Sequence, residues 1–445
     1  MVKVFLKHGR DESLRRFHPW VFSGAVAQVQ GSPAEGDIVG VYSAEGQFLA
    51  SGHWQVGSIA VRILSFDADP TAPGFWVDSI ARALEVRCSV GLYTAAAEPA
   101  GELPLKTSGC AGPLPSDDGP LPLTMPRVAR FSGAVAGPAS SAAAGTTCFR
   151  LIHGEGDGLP GLIVDWYDGV CVLQAHSVGM WRAKGQICEA LRTVFGERLK
   201  AVYDKSSGTA PFKAGLDLVD GYLWRAPGFE AREAVVLENG RSFLVNWEEG
   251  QKTGFFLDQR DNRELVGKYA AGRRVLNLFC YTGGFSIYAL TAGAALVDSV
   301  ESSAKAISLV DRNIQLNSTV SQEFNNYCED AIDFLHKTPE GKYDLMIVDP
   351  PAFAKHRGAL KNALRAYQRL NAAAIAKVAP GGLVFTFSCS QVVDKITFAN
   401  TVFSAAAQTG RSVRILDRLC QGADHPVSIY HPEGEYLKGL LLYVE

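Results

Sequence analysis

The sequence predicts an α/β protein with a mostly parallel β-sheet in its C-terminal half, preceded by a small N-terminal β-barrel and a small α+β central domain. Three observations lead to this prediction. Apolar strands in the C-terminal half each end at glycine or at polar residues. Short strands separated by turn residues fill residues 1–66, as they do in small barrels. Strands and a helix alternate over residues 148–204.

The chain of 445 residues is long enough for two or three domains. We expect the barrel over residues 1–72, the central domain over residues 73–225 and the sheet domain over residues 226–445. Residues 91–145 are rich in Ala, Gly, Pro and Ser, so they should bury little apolar surface and form a flexible, exposed insertion. The glycine-rich segment HGEGDGLPG, residues 153–161, fits either a substrate-facing loop or a plain hairpin connection.

The sheet domain is organised around RVLNLFCYTGGFS, residues 274–286. Residues 275–279 form an apolar run typical of a buried parallel strand, and Thr282, Gly283 and Gly284 interrupt it before an expected helix. Such a turn lets a nucleotide-like ligand approach the backbone N–H groups of the helix. The spacing does not match the dinucleotide fingerprint, and a plain structural turn explains the glycines about equally well.

Polar residues follow each later strand of the predicted sheet. The strands lead into Glu301, Glu329-Asp330, Asp349-Pro350-Pro351 and Ser388-Cys389-Ser390. Because the carboxyl ends of parallel strands lie at one edge of a sheet, the sequence predicts a ligand site there.

Composition excludes several classes of protein. No apolar run approaches the ~18 residues of a membrane span, and the N-terminus lacks the apolar segment of a signal peptide. The nine cysteines include no CxxC pair, which favours reduced thiols in a cytoplasm over disulfides or a zinc site, so no metal is predicted. A net charge of −3 means that nucleic-acid binding would require local basic patches.

The motifs NLFCYTGGFS, VESS, CEDA, VDPPAF and SCS together resemble the class I S-adenosylmethionine-dependent methyltransferases. With GQKTGFFLDQRDNR at residues 250–263 and HPWVFSG at residues 18–24, the chain is most similar to bacterial 23S ribosomal RNA cytosine-5 methyltransferases that carry a PUA domain. The resemblance covers nearly the whole chain except residues 91–145. It implies a Rossmann-like domain with a seven-stranded, mostly parallel sheet, a PUA-like RNA-binding barrel, S-adenosyl-L-methionine as cofactor and 23S ribosomal RNA as partner. A cytoplasmic location is expected, and a homodimer is one possible assembly, because the sequence leaves the oligomeric state open.

The resemblance also implies which residues bind the cofactor. Glu301 should accept both ribose hydroxyls, Asp330 should accept from the adenine amino group, and Arg260 should pair with the cofactor carboxylate. For the two acids, the alternative is an ordinary surface carboxylate at a strand end. The implied contacts are Gln259, Arg260, Phe279, Tyr281, Thr282, Gly283, Gly284, Glu301, Asp330 and Asp349.

Cytosine-5 methylation explains why a cysteine and an acid are expected at this edge. Carbon 5 is a poor nucleophile until a thiolate adds to carbon 6, so Cys389 is the expected nucleophile, the alternative being an inert buried thiol. Asp349 should hydrogen-bond the cytosine ring nitrogen. Related N/DPPY motifs occur in amino-methylating enzymes, so the DPP motif alone does not identify the target atom. The expected substrate contacts are Pro350, Pro351, Phe353 and Lys355.

Two basic segments are candidates for RNA contact, and a solvated surface explains each about equally well. They are Lys3, Lys7, His8, Arg10, Arg15, Arg16 and His18 near the N-terminus, and Lys355, His356, Arg357, Lys361 and Arg365 after the DPP motif. Two other functions stay open: a guanine methyltransferase of the same RNA, whose relatives lack the SCS cysteine, and a non-catalytic RNA-binding protein.

Overall fold

The computed structural model describes residues 1–94, 145–211, 215–317, 322–354 and 356–445. Most of the predicted insertion and Lys355 lie outside the described residues. At the two ends of that insertion the described residues are packed. The Tyr93 ring lies 5.7 Å from the Phe149 ring, and the Gly145 carbonyl accepts a hydrogen bond of 2.8 Å from the Gly240 N–H.

The N-terminal unit is a six-stranded sheet with the order β2-β6-β5-β4-β1-β3. Only three residues, Ser23–Ala25, connect β2 to β3, although these are the two edge strands, so the sheet must curl until its edges approach each other. This closure agrees with the predicted barrel. Its elements are β1 Val2–Leu6, α1 Glu12–Arg15, β2 Trp20–Phe22, β3 Val26–Gln30, β4 Ile38–Tyr42, β5 Phe48–Trp54 and β6 Ile59–Ser65.

The central unit is a five-stranded sheet with the order β11-β10-β9-β8-β7, covered by two helices. The alternation of strands and a helix that the sequence predicts over residues 148–204 is confirmed. The elements are α2 Phe75–Ser89, β7 Cys148–His153, β8 Leu162–Tyr167, β9 Val170–Ala175, α3 Val178–Phe195, β10 Ala201–Asp204 and β11 Gly221–Arg225.

A β-hairpin connects the central unit to the C-terminal sheet. Asn239 and Gly240 have φ angles of 49° and 78°, the positive values that a tight hairpin turn requires. An Asn-Gly pair is the residue pair that favours such a turn. Its strands are β12 Glu233–Glu238 and β13 Arg241–Asn246, and they share a buried core with one face of the C-terminal sheet.

The C-terminal unit is a seven-stranded sheet with the order β16-β15-β14-β17-β18-β20-β19, in which only β20 pairs antiparallel to its neighbours. The order reverses at β14, so the carboxyl ends of β14, β17 and β18 border one crevice. The elements are α4 Arg260–Ala270, β14 Arg274–Leu278, α5 Gly284–Thr291, β15 Leu296–Glu301, α6 Ala304–Leu316, β16 Glu323–Cys328, α7 Ala331–Lys337, β17 Tyr343–Val348, α8 Leu360–Lys377, β18 Val378–Ser388, α9 Lys395–Thr409, β19 Val413–Leu419 and β20 Lys438–Val444.

The HGEGDGLPG segment braces the units against one another. Glu155 accepts hydrogen bonds of 2.8 Å from Trp20 Nε1 and 2.9 Å from Arg62 Nη1 in the barrel. Asp157 pairs with the fully buried Arg87 of α2. A side chain at Gly156 would overlap the carbonyl of Pro426. These contacts favour a structural role, because the polar groups of the loop are used between units.

Among the described residues, no helix is both long enough and apolar enough to cross a bilayer.

Candidate active site

The glycine turn after β14 has a backbone that few sequences adopt. Phe279 and Tyr281 have φ angles of 59° and 48°, in the left-handed region, and Gly283 follows with 82°. A Cβ atom at Gly283 would lie 2.9 Å from Val310, so glycine is required for packing as well as for φ. The turn therefore delivers backbone N–H groups to the sheet edge immediately before α5.

Glu301 lies beside this turn, as the sequence predicted. Its Oε2 accepts a hydrogen bond of 3.2 Å from the Tyr281 N–H, and its Oε1 accepts one of 3.0 Å from the Ser303 N–H. Within the turn, the buried Thr282 hydroxyl has no hydrogen-bond partner among the described residues. A half-buried carboxylate and a free hydroxyl at a strand end are suited to a hydroxylated ligand.

Asp330 has a structural contact in addition to its predicted role. The residue is exposed, and its Oδ1 caps α7 by accepting hydrogen bonds of 2.8 Å from the Ile332 N–H and 3.1 Å from the Asp333 N–H. The cap fixes the carboxylate at the end of β16, while its contact with adenine stays a prediction.

The structure corrects our expectation for Arg260. Its side chain is buried, and its guanidinium donates hydrogen bonds of 2.6 and 3.1 Å to the two carboxylate oxygens of the equally buried Asp424. Removing either partner would leave an unpaired buried charge. Arg260 therefore anchors α4 to the C-terminal loop and does not present a free guanidinium to a cofactor carboxylate.

Gln259 connects the DQR segment to the DPP motif. Its Nε2 donates to Asp349 Oδ2 at 3.0 Å, while its Oε1 accepts from Asn262 Nδ2 at 2.6 Å. The amide orientation is thus set from both sides. The link brings the predicted cofactor side of the edge against the predicted substrate side.

Asp349 is an acid whose proton is held unusually tightly. Burial, reinforced by the negative charge of nearby Asp258, raises the pKa of Asp349 to about 7, although Gln259 and Arg263 oppose the shift. At neutral pH, a carboxyl with this pKa is protonated in a large fraction of the molecules. It can therefore donate a hydrogen bond to a ring nitrogen, as a carboxylate cannot.

Cys389 lies half-buried at the end of β18, in the same electrostatic environment. Burial raises the pKa of its thiol to about 12, and the charges of Asp349 and Asp258 add to the effect. Lys438 opposes them. The thiol is consequently a poor nucleophile while both neighbouring carboxyls are ionised, and additional positive charge or protonation of Asp349 would activate it.

A hydroxyl network connects the SCS and DPP motifs. Tyr367 of α8 accepts a hydrogen bond of 2.9 Å from Ser388 Oγ and lies 3.2 Å from Ser390 Oγ. Its ring lies 4.7 Å from that of Phe353, in the predicted substrate loop. Of the two prolines before Phe353, Pro350 is buried and Pro351 is exposed. Among the predicted substrate contacts that the structure describes, Pro351 and the half-buried Phe353 are thus the accessible ones.

Sequence reasoning missed three residues at this site. Asp258 Oδ2 accepts a hydrogen bond of 2.7 Å from the Tyr436 hydroxyl, while its Oδ1 is buried and has no partner among the described residues. Lys438 Nζ donates 2.6 Å hydrogen bonds to the carbonyls of Ser390 and Val393, which holds the SCS turn. Asp258 was visible in the DQR segment, but Tyr436 and Lys438 lie beyond the last recognised motif, so spacing gave no signal for them.

Comparisons with known proteins agree with these features. A family model described as S-adenosylmethionine-dependent methyltransferase matches residues 149–441, and one described as PUA-like domain matches residues 4–66. Proteins named ribosomal RNA large subunit methyltransferase I are similar over their full length. The one from Aeromonas hydrophila is 35% identical over 99% of this chain and 98% of its own, and that from Serratia proteamaculans is 33% identical over 98% of both. This chain belongs to the same family of S-adenosylmethionine-dependent methyltransferases.

Solved structures confirm the fold of this methyltransferase. One described as a methyltransferase complexed with SAH matches with a TM-score of 0.75 at 20% identity, over 100% of both chains. A SAM-dependent methyltransferase from Streptococcus mutans matches with a TM-score of 0.74 at 20% identity, again over 100% of both chains. The predicted class I fold with an N-terminal PUA-like unit is thereby confirmed. The predicted cofactor is confirmed by the matching family model over residues 149–441.

The residues present fit S-adenosylmethionine, whose reactive group is a methyl on a positively charged sulfonium. The charged side chains beside the glycine turn and the Cys389 thiol are mainly acidic. One carboxylate oxygen, Asp258 Oδ1, is also buried without a partner among the described residues. A cationic ligand would compensate this charge. The left-handed turn and Glu301 would hold its polar ends.

We expect Glu301→Ala to weaken binding of S-adenosylmethionine by roughly 1–3 kcal/mol. The reason is that the variant lacks the carboxylate expected to accept hydrogen bonds from both ribose hydroxyls. Calorimetric titration of the folded variant measures this change. The matched control is Glu323→Ala, which removes an exposed acid at the opposite end of the neighbouring strand β16. Equal affinities of the two variants would show that Glu301 does not contact the cofactor.

The raised pKa of Asp349, about 7, also has a consequence for stability. An aspartate in the unfolded chain titrates near pH 4. The free energy of unfolding should therefore decrease as pH rises from about 4 to about 7, because the unfolded state loses this proton more readily than the folded state does. Asp349→Asn should therefore gain stability relative to the unsubstituted protein over this window, by roughly 1–3 kcal/mol after allowance for solvent screening. Below pH 4 the difference should level off.

Denaturant unfolding at a series of pH values tests this expectation. The control is Asp417→Asn, which changes an exposed aspartate on β19 and should give a nearly constant difference. If the curves for Asp349→Asn and the unsubstituted protein ran parallel from pH 4 to 8, the carboxyl would have an ordinary pKa.

Proposed function

We propose that this methyltransferase transfers a methyl group to carbon 5 of a cytosine in 23S ribosomal RNA, through a covalent adduct on Cys389. The names of its relatives support ribosomal RNA of the large subunit as the substrate. One observation supports the choice of cytosine carbon 5 and of a covalent adduct. The thiol of Cys389 lies close enough to Asp349, an acid with a pKa of about 7, for the charge of that carboxyl to raise the pKa of the thiol.

In this mechanism the thiolate of Cys389 forms a bond to carbon 6 of cytosine, and Asp349 donates its proton to the ring nitrogen N3. The electron pair of the ring then gives carbon 5 enamine character, so that carbon 5 takes the methyl group from the sulfonium. Removal of the proton from carbon 5 restores the double bond and breaks the bond between sulfur and carbon 6. The proton on N3 returns to Asp349.

Asp258 is the residue to which we assign removal of the carbon 5 proton. Its Oδ1 is available, since it has no partner among the described residues, and the Tyr436 hydroxyl bound to Oδ2 holds the carboxylate in place. The two acids would then have different functions, Asp349 as acid and Asp258 as base. The proton taken by Asp258 passes to solvent when the product leaves.

Loss of the thiol is the direct test of covalent catalysis. Cys389→Ala should lose methyl transfer almost entirely and still bind cofactor, because Cys389 follows β18, whereas the glycine turn follows β14 and Glu301 ends β15. RNA that contains 5-fluorocytosine should form a stable adduct with the unsubstituted protein, since fluorine cannot leave as a proton does. Mass spectrometry of the cross-linked peptide should locate the adduct at Cys389.

Cys280→Ala is the matched control, because Cys280 also follows a strand of the sheet but is only 5% exposed, and burial raises the pKa of its thiol. That variant should retain the adduct. An adduct that persisted in Cys389→Ala would refute the assignment. Methylated guanine in the product, without any adduct, would favour the guanine methyltransferase instead.

The surface that we propose for RNA phosphates lies on α8 and the turn before it. Arg357, Lys361, Arg365 and Arg369 follow one another at intervals of four residues and are all exposed. The sequence has no Asp or Glu between Asp349 and Asp394, so no acid within this segment neutralises the stripe. It adjoins the DPP loop, where the target base should enter.

The N-terminal basic segment is less suitable for this function. Arg15 and Arg16 pair with Asp11 and Glu12, each one helical turn away, and His8 lies 3.7 Å from Glu45. Paired cations contribute little to the field at a distance. These contacts favour the alternative of a solvated surface there.

The stripe on α8 predicts a change in salt dependence. Lys361→Gln should weaken RNA binding and reduce the slope of log K against log salt by about 1, and the double variant with Arg365→Gln by about 2. Lys268→Gln, an exposed lysine on α4, is the matched control and should leave the slope unchanged. Filter binding at several salt concentrations measures the slopes, and identical slopes for all the proteins would remove α8 from the RNA surface.

The remaining expectations follow from the same function. A substrate of ribosomal RNA implies a cytoplasmic location. For a homodimer, which the sequence leaves open, the surface to examine is edge strand β19, where Ile415 and Leu416 are exposed.

A further inference from the structure

Three side chains converge where the barrel meets the loop before β20. His18 follows α1 of the barrel, while His431 and Glu433 belong to the loop between β19 and β20. One ligand-type atom from each residue lies within 4.8 Å of the other two. None of the three belongs to the catalytic edge of the sheet.

His431 is the unusual member of this group. Its side chain is only 3% exposed, yet neither ring nitrogen has a hydrogen-bond partner among the described residues. The ring is enclosed by Trp20 and His18, whose ring centroids lie 4.4 and 5.5 Å away. Buried polar groups are almost always satisfied, so an imidazole with two free nitrogens indicates an additional ligand.

His18 is already oriented as metal-binding histidines are. Its Nδ1 lies 3.3 Å from the Trp20 carbonyl oxygen. When Nδ1 carries the hydrogen and donates it to that carbonyl, Nε2 keeps its lone pair for a metal. The other tautomer, in which Nδ1 accepts from the Trp20 N–H at 3.2 Å, would leave Nε2 protonated.

We propose that His18, His431 and Glu433 form a binding site for a divalent transition metal of the zinc type. Two imidazole nitrogens and one carboxylate oxygen are the donors that such ions accept, at metal–ligand distances of about 2.0–2.2 Å. His431 Nε2 and Glu433 Oε2 lie 3.9 Å apart, a separation that one ion at these distances can bridge. Water would complete the coordination.

The site clamps the barrel to the methyltransferase unit. One ligand comes from the barrel and two come from the loop that leads into Lys438 and β20. Glu155 already joins Trp20 and Arg62 of the barrel to the central unit. Metal binding would add the corresponding connection to the C-terminal unit and fix the orientation of the barrel.

The test uses the full chain after chelator treatment, with exposed thiols alkylated, because Cys88, Cys328 and Cys420 are exposed and could bind zinc themselves. Calorimetric titration with zinc chloride should give one site per chain. In a separate thermal unfolding experiment, zinc should raise the Tm. Glu433→Gln should bind zinc at least tenfold more weakly, and His431→Asn should lose the site. With Co²⁺ as the probe, the absorption spectrum should show nitrogen and oxygen ligation without thiolate bands.

His8→Asn is the matched control, because His8 is an exposed barrel histidine that also lies near a glutamate, Glu45. It should bind zinc as tightly as the unsubstituted protein. Glu433 is largely exposed, so Glu433→Gln keeps the test valid even if His431→Asn folds poorly. Equal zinc binding by the unsubstituted protein and Glu433→Gln, or thiolate bands with Co²⁺, would overturn the proposal. No outcome depends on RNA or on methyl transfer.

Discussion

The buried pair of Arg260 and Asp424 is the contact on which the arrangement of this protein depends. Asp424 accepts both hydrogen bonds of the Arg260 guanidinium and also accepts from the Arg150 N–H at 2.9 Å, while its own carbonyl accepts from Arg87 at 2.7 Å. One residue thus connects α2, β7, the start of α4 and the C-terminal loop. Burying the charges costs desolvation, but breaking the pair would cost about 3–5 kcal/mol, because an unpaired charge would stay inside.

The position of the catalytic edge follows from that junction. Arg260 begins α4, so the residues immediately before it, Asp258 and Gln259, are held against the carboxyl ends of β17 and β18. From the other side, the C-terminal loop supplies Tyr436, and Lys438 comes from the start of β20. The site therefore consists of segments distant in sequence that are brought together by buried polar contacts, and apolar packing under the sheet supports them from below.

The electrostatic environment of the edge disfavours the thiolate form of Cys389 in the free protein. Two carboxyls and a thiol share a low-dielectric region in which Lys438 is the cation that opposes the rise in the thiol pKa. Burial lowers the pKa of Lys438 to about 8, so its charge is itself sensitive to pH. Burial favours the neutral forms of Asp349, Cys389 and Lys438 in the free protein, and a positively charged cofactor would shift the balance toward the thiolate.

The sequence alone determined the succession of strands from β14 to β18, the glycine turn and the polar residues at the strand ends. These features follow from local periodicity and from backbone conformations that only a few residues adopt. It also singled out Cys389, Asp349 and Glu301 as candidate site residues, because each lies at the carboxyl end of a predicted strand. The tertiary structure decided what these residues contact. Arg260 is turned inward toward Asp424, 164 residues away, and Tyr436 reaches Asp258 across 178 residues. No local pattern encodes such pairs, since they depend on which loops meet when the sheet, the central unit and the barrel close on one another.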